Sequence, residues 1–487
     1  MLLHSRLEEL YTEPGLHEIG MMDKTKLLQD LVQDYKRTHK KSETLFQKAS
    51  QFQIRGGSHN LRLFMPFPFY DVHCQGSKIT DIDGNSYVDF WQGHFGNILG
   101  HNPQFVLDAL IDFYKKGSGL STGFPSTLQS ELAEFLLSRL SAEKVRFSTS
   151  GTLATMYAVM LAKAKTNRDL VMKVGGGWHG SQPYALKGIS IYEKGLTKVE
   201  SAGLPSGMDE MILITRFNDE EDIEEKFRVY GERTACLILE PFIGAGGFIF
   251  GRKGYIQKAR QLSDQYGSLL IFDEVVSGFR FHAGALQNLY DVQPDLSVFG
   301  KAIGGGMPLS AVAGKDEVMD LCGPEAMEEK KVKVEGGTFS AHPASMLAGL
   351  TFVKYLQDHE QEIYPRIGRL GERVRREIEN IFATYGFHVS CTGDGNPVAE
   401  NSSVIGVHFL NDPSARIESP EQVWNPDVCD IEMREKIFKL AMIQEGFNVF
   451  HGYGSISRAH TEEEIQASLD AVERIAKKWK EKYNHGT

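Results

Sequence analysis

Four short segments carry residues whose types and spacing point to chemistry. Lys301 follows an apolar run and precedes Gly304-Gly305-Gly306 in SVFGKAIGGGMP. A lysine ending a buried strand loses hydration of its ammonium, which lowers its pKa and leaves a nucleophilic amine suited to a Schiff base. The plainer reading is an exposed lysine at a strand end. Asp273 closes the apolar run of SLLIFDEVVSGFR. A buried carboxylate there needs a cationic partner; a helix cap or a pair with Arg280 would also account for it. Asp273 and Lys301 lie about one βαβ unit apart, so neighbouring strands can project both into one cleft. Ser150-Gly151-Thr152 lead into the helical TLATMYAVMLAKA. Small residues there leave backbone N–H groups free, and a helix N-terminus favours an anion such as phosphate, although an ordinary Ser/Thr N-cap has the same look. Trp178, among glycines in KVGGGWHGSQP, offers its ring to a flat ligand or packs under a loop.

Together these parts describe a pyridoxal 5′-phosphate (PLP) site. The lysine holds the aldehyde as an imine, and the acid keeps the pyridine nitrogen protonated, so that the ring accepts electrons from the substrate Cα. The aromatic ring covers the cofactor, and the helix N-terminus holds its phosphate.

The elements that must position these groups follow from hydropathy. LVMKV, TACLILE, SLLIFDEVV and LSVFGK read as strands that are apolar throughout, with helices such as SELAEFLLSRL, TLATMYAVMLAKAK and GYIQKARQLSDQYG around them. That alternation predicts a buried, mostly parallel sheet with βαβ crossovers. Glu240, Asp273 and Lys301 then fall at the C-terminal ends of strands, the edge where open α/β sheets bind ligands. KITDIDGNSYVDF reads as strand–turn–strand through Asp83-Gly84-Asn85. Residues 1–50 are polar and helix-prone, with leucines at helical spacing in KTKLLQDLVQDYKR. They are expected to form an arm on the body or on a partner subunit, or a partly mobile one. Residues 51–344 are expected to form the large domain. Residues 345–487, with two long amphipathic stretches, a strand-like SSVIGVHFL and a T-x-x-E capping box at Thr461–Glu464, are expected to form a smaller α+β domain.

Composition narrows the field. The 487 residues hold 53 Lys+Arg against 64 Asp+Glu, a net charge of −11, which gives no footprint for nucleic acid or an anionic membrane. No apolar run approaches a membrane span. The N-terminus reads as neither signal nor transit peptide. Cys74, Cys236, Cys322, Cys391 and Cys429 are scattered and form no CxxC pair, so metal ligation is not expected and a cytoplasmic, reducing location is. GAGGFIFG has the texture of a dinucleotide loop but opens no helix in a G-x-G-x-x-G frame.

DIDGNSYVDF, LGHNP, STSGT, WHG, LEPFIG, FDEVVSGFR, GKAIGGGMP and GGTFSAHP occur in one order from about residue 55 onward. In this the chain resembles the class III aminotransferases of PLP fold type I, within them the branch similar to glutamate-1-semialdehyde 2,1-aminomutase. The resemblance implies that Lys301 forms the Schiff base and Asp273 pairs with the pyridinium nitrogen. It implies that Ser150, Gly151 and Thr152 bind phosphate, and that Val275 packs on the ring face opposite Trp178, beside His179. Glu240 stands where the family has an acid near the cofactor. Thr338 of GGTFS would reach the phosphate of a neighbouring subunit, implying a homodimer. Arg62 lies where this branch has an arginine near the substrate carboxylate. Leu153, Ala245, His342 and Gly452 depart from the family pattern. The implied activity is amino transfer between an amino acid, or another amine-bearing acid, and a keto acid. Intramolecular aminomutase chemistry is the alternative, with racemase or decarboxylase chemistry third. A non-catalytic PLP-fold module would be expected to lack Lys301 or Asp273. LFMPFPFY, Trp91, His94 and Phe95 are read as lining a pocket for a bulky or apolar acid, or as core.

Overall fold

A computed structural model describes residues 22–121, 123–189 and 199–483. The first 21 residues of the expected N-terminal arm lie outside the described residues.

A seven-stranded sheet holds the centre. Its strands are β4 (Lys144–Ser148), β5 (Leu170–Val174), β6 (Ile212–Thr215), β7 (Thr234–Leu239), β10 (Leu269–Glu274), β11 (Leu296–Phe299) and β12 (Ser310–Gly314). They are ordered β4-β12-β11-β10-β7-β5-β6. The pairs β11–β10, β10–β7, β7–β5 and β5–β6 are parallel, while β12 runs antiparallel to both β11 and β4. Hence every strand except β12 points the same way, and five strand ends reach one edge side by side.

Both faces of the sheet are covered, which is why its strands read as continuous apolar runs. Cys236, Ile238, Ile271 and Val298 pack against Ala154, Ala158, Leu161 and Ala162 of the helix Gly151–Thr166. The alternate residues Leu237, Leu239, Leu270 and Phe272 pack against Tyr255, Ile256 and Ala259 of the helix Lys253–Tyr266. The period of two along each strand sorts the side chains between these layers.

The remaining parts join the two chain ends. Strands β1 (Asp71–Gln75), β2 (Lys78–Asp81) and β3 (Ser86–Asp89) form an antiparallel meander, to which β15 (Phe447–Asn448) adds parallel to β3. Gly84, at φ +94°, takes the left-handed position of the β2–β3 turn. Strands β13 (Val389–Thr392), β14 (Val404–Phe409) and β16 (Gly454–Ser455) form a small antiparallel sheet, and β8 (Phe242–Ile243) pairs with β9 (Ile249–Phe250). The helix Lys24–Thr38 starts at Asp23, whose carboxylate accepts from the Lys26 amide at 2.9 Å. It buries Leu27, Leu31 and Tyr35, spaced i, i+4, i+8 along one stripe. The stripe faces this chain's own C-terminal region: Gln444 donates to the Leu31 carbonyl at 2.7 Å and Lys24 pairs with Asp430 at 2.8 Å. At the last helix, the Thr461 and Glu464 side chains each accept the other's backbone N–H at 3.1 Å, a reciprocal cap.

Candidate active site

The C-terminal ends of β5, β7, β10 and β11 and the N-terminus of the helix Gly151–Thr166 surround a cavity of about 400 Å³. Ser150, Gly151, Thr152, Trp178, His179, Glu240, Asp273, Val275, Lys301 and Arg62 all line it. Parallel strands deliver these residues together because their C-terminal ends lie at one edge.

Asp273 and Glu274 are adjacent on β10 and serve opposite faces. Asp273 opens on the cavity. Its Oδ2 accepts from His179 Nδ1 at 2.8 Å, and its Oδ1 from the Val275 amide at 3.1 Å. The carboxylate fixes Nδ1 as the protonated nitrogen of His179, burial lowers the imidazole pKa, and Nε2 is buried without a partner. Glu274 turns away, accepting from Gln287 N at 3.0 Å and from Ser277 Oγ at 3.3 Å, and so pins the segment after the strand. Arg280, the alternative partner for Asp273, instead donates to the Phe95 carbonyl.

Glu240 follows β7. Its carboxylate accepts from the Trp178 amide at 2.9 Å and from the Gly244 amide at 3.1 Å. Burial, reinforced by the charge of Asp273, pushes its pKa up to about 8. Glu240 therefore acts as a brace between two cavity loops and gains little as a second anion beside Asp273.

Lys301 stands two residues beyond β11 with φ +47°, a left-handed conformation rare for a residue with a side chain and costing roughly 1 kcal/mol. Burial lowers its pKa, while the Asp273 and Glu240 carboxylates oppose that shift. Among the described residues, nothing hydrogen-bonds its amine.

Gly151 begins the helix, with Ser150 as N-cap accepting from Leu153 N at 3.3 Å, and the first turn holds no acid. A Cβ at Gly151 would lie 3.1 Å from Val275 Cγ2, so glycine brings the helix end close to Val275. Gly180, at φ +79°, is held tighter still. A Cβ there would fall 2.6 Å from the Thr152 backbone, so the loop bearing Trp178 and His179 can rest on the helix N-terminus only without a side chain.

Arg62 is exposed at the cavity wall, and its Nε donates to His94 Nε2 at 3.1 Å. Burial and the Arg62 charge drive the His94 pKa down to about 3, which keeps that nitrogen free to accept. Thr338 is exposed and lies away from the cavity. His94 and Phe95 line the cavity, but Trp91 sits behind it, stacked on Phe450 at 4.6 Å. His59, Met307, Phe450 and His451 also line it and escape the sequence reading. No local motif marks His451 or Phe450, which reach the site from the far end of the chain.

These residues fit PLP by their donor chemistry. A free amine and a buried carboxylate lacking a cation face one cavity, with a helix N-terminus of small residues beside them. The ring atom Nε2 of His179 is left without a partner. Of the departures from the family pattern, Ala245 lines the cavity with a methyl group, whereas Gly452, at φ +90° and close against Val407, sends nothing into it.

A family model for class-III aminotransferases matches residues 65–399. Glutamate-1-semialdehyde 2,1-aminomutase of Haloarcula marismortui is 34 % identical over 454 residues, covering 89 % of this chain and 98 % of that protein. The enzyme of the same name from Bacillus subtilis is 34 % identical over 449 residues, covering 90 % and 98 %. Among solved structures, an omega-transaminase from Sphaerobacter thermophilus superposes with a TM-score of 0.80 at 27 % identity, covering 90 % of this chain and 97 % of that one.

Proposed function

From the premise that the chain belongs to the class-III aminotransferase family and is a PLP-dependent enzyme, we propose that it moves an amino group between an amine-bearing acid and a keto acid. PLP, when bound, supplies an aldehyde for amines to condense with and a ring that draws electron density from the substrate carbon.

The other roles belong to this chain. Lys301 would hold the cofactor through its amine, and that amine, when free, would take the proton from the substrate Cα and return one as general base and acid. Asp273 holds a proton on the ring nitrogen. His179, bonded to the same carboxylate, fixes its orientation. Trp178 and Val275, which both line the cavity, would wall the two sides of the ring. Ser150, Gly151 and Thr152 hold the phosphate at the helix N-terminus. Arg62 grips the substrate carboxylate, bidentately when His94 releases it. The observation that carries this reading is the Lys301 amine, which is buried at the cavity under the influence of the Asp273 carboxylate and, among the described residues, has no hydrogen-bond partner.

The assembly we propose is a homodimer in which Thr338 approaches the neighbouring site. In support, its neighbour Phe339 is 62 % exposed in the single chain, an apolar surface that a second subunit would cover. Among the described residues, no helix is long and apolar enough to cross a membrane, and all five cysteines are free. A cytoplasmic, reducing location is consistent with both.

Mixing the purified holo-protein with single amino acids, α and β and of both hands, while following cofactor absorbance tests the reading. Conversion to the pyridoxamine form by one donor class establishes amino transfer. Cα proton exchange with no such conversion would overturn it. A second reading, intramolecular aminomutase chemistry, is favoured by the names of the 34 %-identical relatives. Absence of net exchange between an amino acid and a keto acid would select it.

A further inference from the structure

One stretch of the cavity wall has an unusual backbone. Gln92, Gly93, His94 and Phe95 take φ values of +48°, +60°, +60° and +69°, one left-handed helical turn. Only Gly93 adopts that conformation without a Cβ clash, so the other three residues are held there against their preference. His94 and Phe95 line the cavity. The exit of the turn lies against the reactive lysine: a Cβ at Gly96 would fall 3.6 Å from both the carbonyl carbon and the Cβ of Lys301. Lys301 is itself left-handed at φ +47°. Two strained segments thus meet beside the amine, and such strain persists only where the surroundings impose it.

The two ends of the turn are anchored differently. At its entry, the buried Asp89 carboxylate accepts from the amides of Trp91 at 3.0 Å and Gln92 at 2.9 Å, and from the Asn448 side chain at 2.7 Å. At its exit, Arg280 donates a hydrogen bond to the Phe95 carbonyl. Arg280 is 1 % exposed, and its Nε and Nη1 are buried without a partner. Among the described residues, no carboxylate pairs with it. A desolvated guanidinium with one acceptor and no counter-charge costs stability, and an apolar side chain of similar size would not. The segment that carries Arg280 follows Asp273 and β10, so this one contact ties the strand bearing the acid to the wall beside the amine.

We propose that Arg280 is a positioning residue for the Lys301 amine: by gripping the Phe95 carbonyl it holds the left-handed turn against Lys301 and fixes that residue's backbone, at a net cost to folding stability. The proposal rests on Lys301 as the reacting amine of the amino-transfer reading.

Arg280→Met tests it, since methionine fills much of the same space without charge or donor. The apo-protein should melt no lower than the native chain. Amide exchange in the holo-protein should quicken at residues 92–97 and stay native elsewhere. Capture of pyridoxal 5′-phosphate by the apo-protein, followed by absorbance, should slow by about 10- to 100-fold, the range for a misplaced reacting group. The kcat should fall alike, with KM little changed. Arg280→Lys, which can still donate to one carbonyl, should restore most of the capture rate. An Arg280→Met chain that fails to fold, or melts lower, overturns the proposal, because the arginine is then structural. A native capture rate, or native exchange at residues 92–97, overturns it as well. If no donor converts the cofactor in the native enzyme, amino transfer fails, and the capture rate and exchange pattern still decide the role of Arg280.

Discussion

The end of β5 and the end of β11 each carry a lysine into the protein. Lys173 is fully buried, and its ammonium donates to the carbonyls of Gly177 at 3.0 Å, Ala185 at 3.2 Å and Lys187 at 2.8 Å. All three of its protons are used, and the loop it ties down is the one that bears Trp178 and His179. Lys301 has no acceptor among the described residues, and a cavity lies in front of it. Burial lowers the pKa of both, Lys173 to about 8. A lowered pKa therefore does not separate a reactive lysine from a structural one. The inventory of acceptors does.

The largest effect that sharpens the contrast is at Lys301. Lys301→Met should cut the amino-transfer half-reaction by about 10²- to 10⁴-fold or more, the range for a lost general base, with thermal unfolding of the apo-protein little changed. A fall in Tm as large as that of the Lys173 variant would break the comparison. Lys173→Met should do the reverse, destabilising by about 2–4 kcal/mol because three buried carbonyls lose their donor. Chemical denaturation measures it. Between pH about 8 and the ordinary lysine value of 10.5, the unfolded chain binds a proton that folded Lys173 has released. In the native protein, stability contributed by this group thus rises with pH across that window. Lys173→Met lacks that rise, so its deficit should widen above pH 8.

Glu240 gives a smaller effect of opposite sign. Its folded pKa of about 8 lies above the ordinary 4.5, so the folded apo-protein keeps a proton that the unfolded chain loses, and stability falls as pH rises between those values. Glu240→Gln should flatten that slope by on the order of 2 kcal/mol, as read from Tm against pH. Arg62→Ala is expected to change least, raising KM about tenfold through loss of one charge-assisted contact with little change in kcat. Unchanged kinetics would remove Arg62 from the site.

The sequence shows Lys301 and Asp273 clearly because a charge inside an apolar run is anomalous. Lys173 in LVMKV is the same anomaly, and its three acceptors come from residues up to 14 positions away along a loop, which no local pattern shows. The parallel strands are legible as apolar runs covered on both faces. Strand β12 is harder to read, since SAVAG is short and built of small residues, and β4, KVRFS at a sheet edge, has a weaker apolar signal. Lys439, another buried lysine, is hidden by a different cause. Residues Met433–Phe438 form a π-helical turn, whose wider spacing rotates the next helical residues about the axis. The helix that follows buries every residue from Lys439 to Ile443, so no periodic pattern sets the lysine apart.

The parallel pairing of β15 with β3 brings Phe447 against Val88. It fixes an order of events during synthesis. The β1–β3 meander cannot gain its fourth strand, nor the helix Lys24–Thr38 its contacts with Asp430 and Gln444, until residues 430–448 have left the ribosome. Such distant pairings close slowly, because loop-closure entropy is lost before the contacts repay it. Nascent chains stalled before residue 447 should consequently expose the Leu27–Leu31–Tyr35 stripe, a natural point of engagement for holding chaperones.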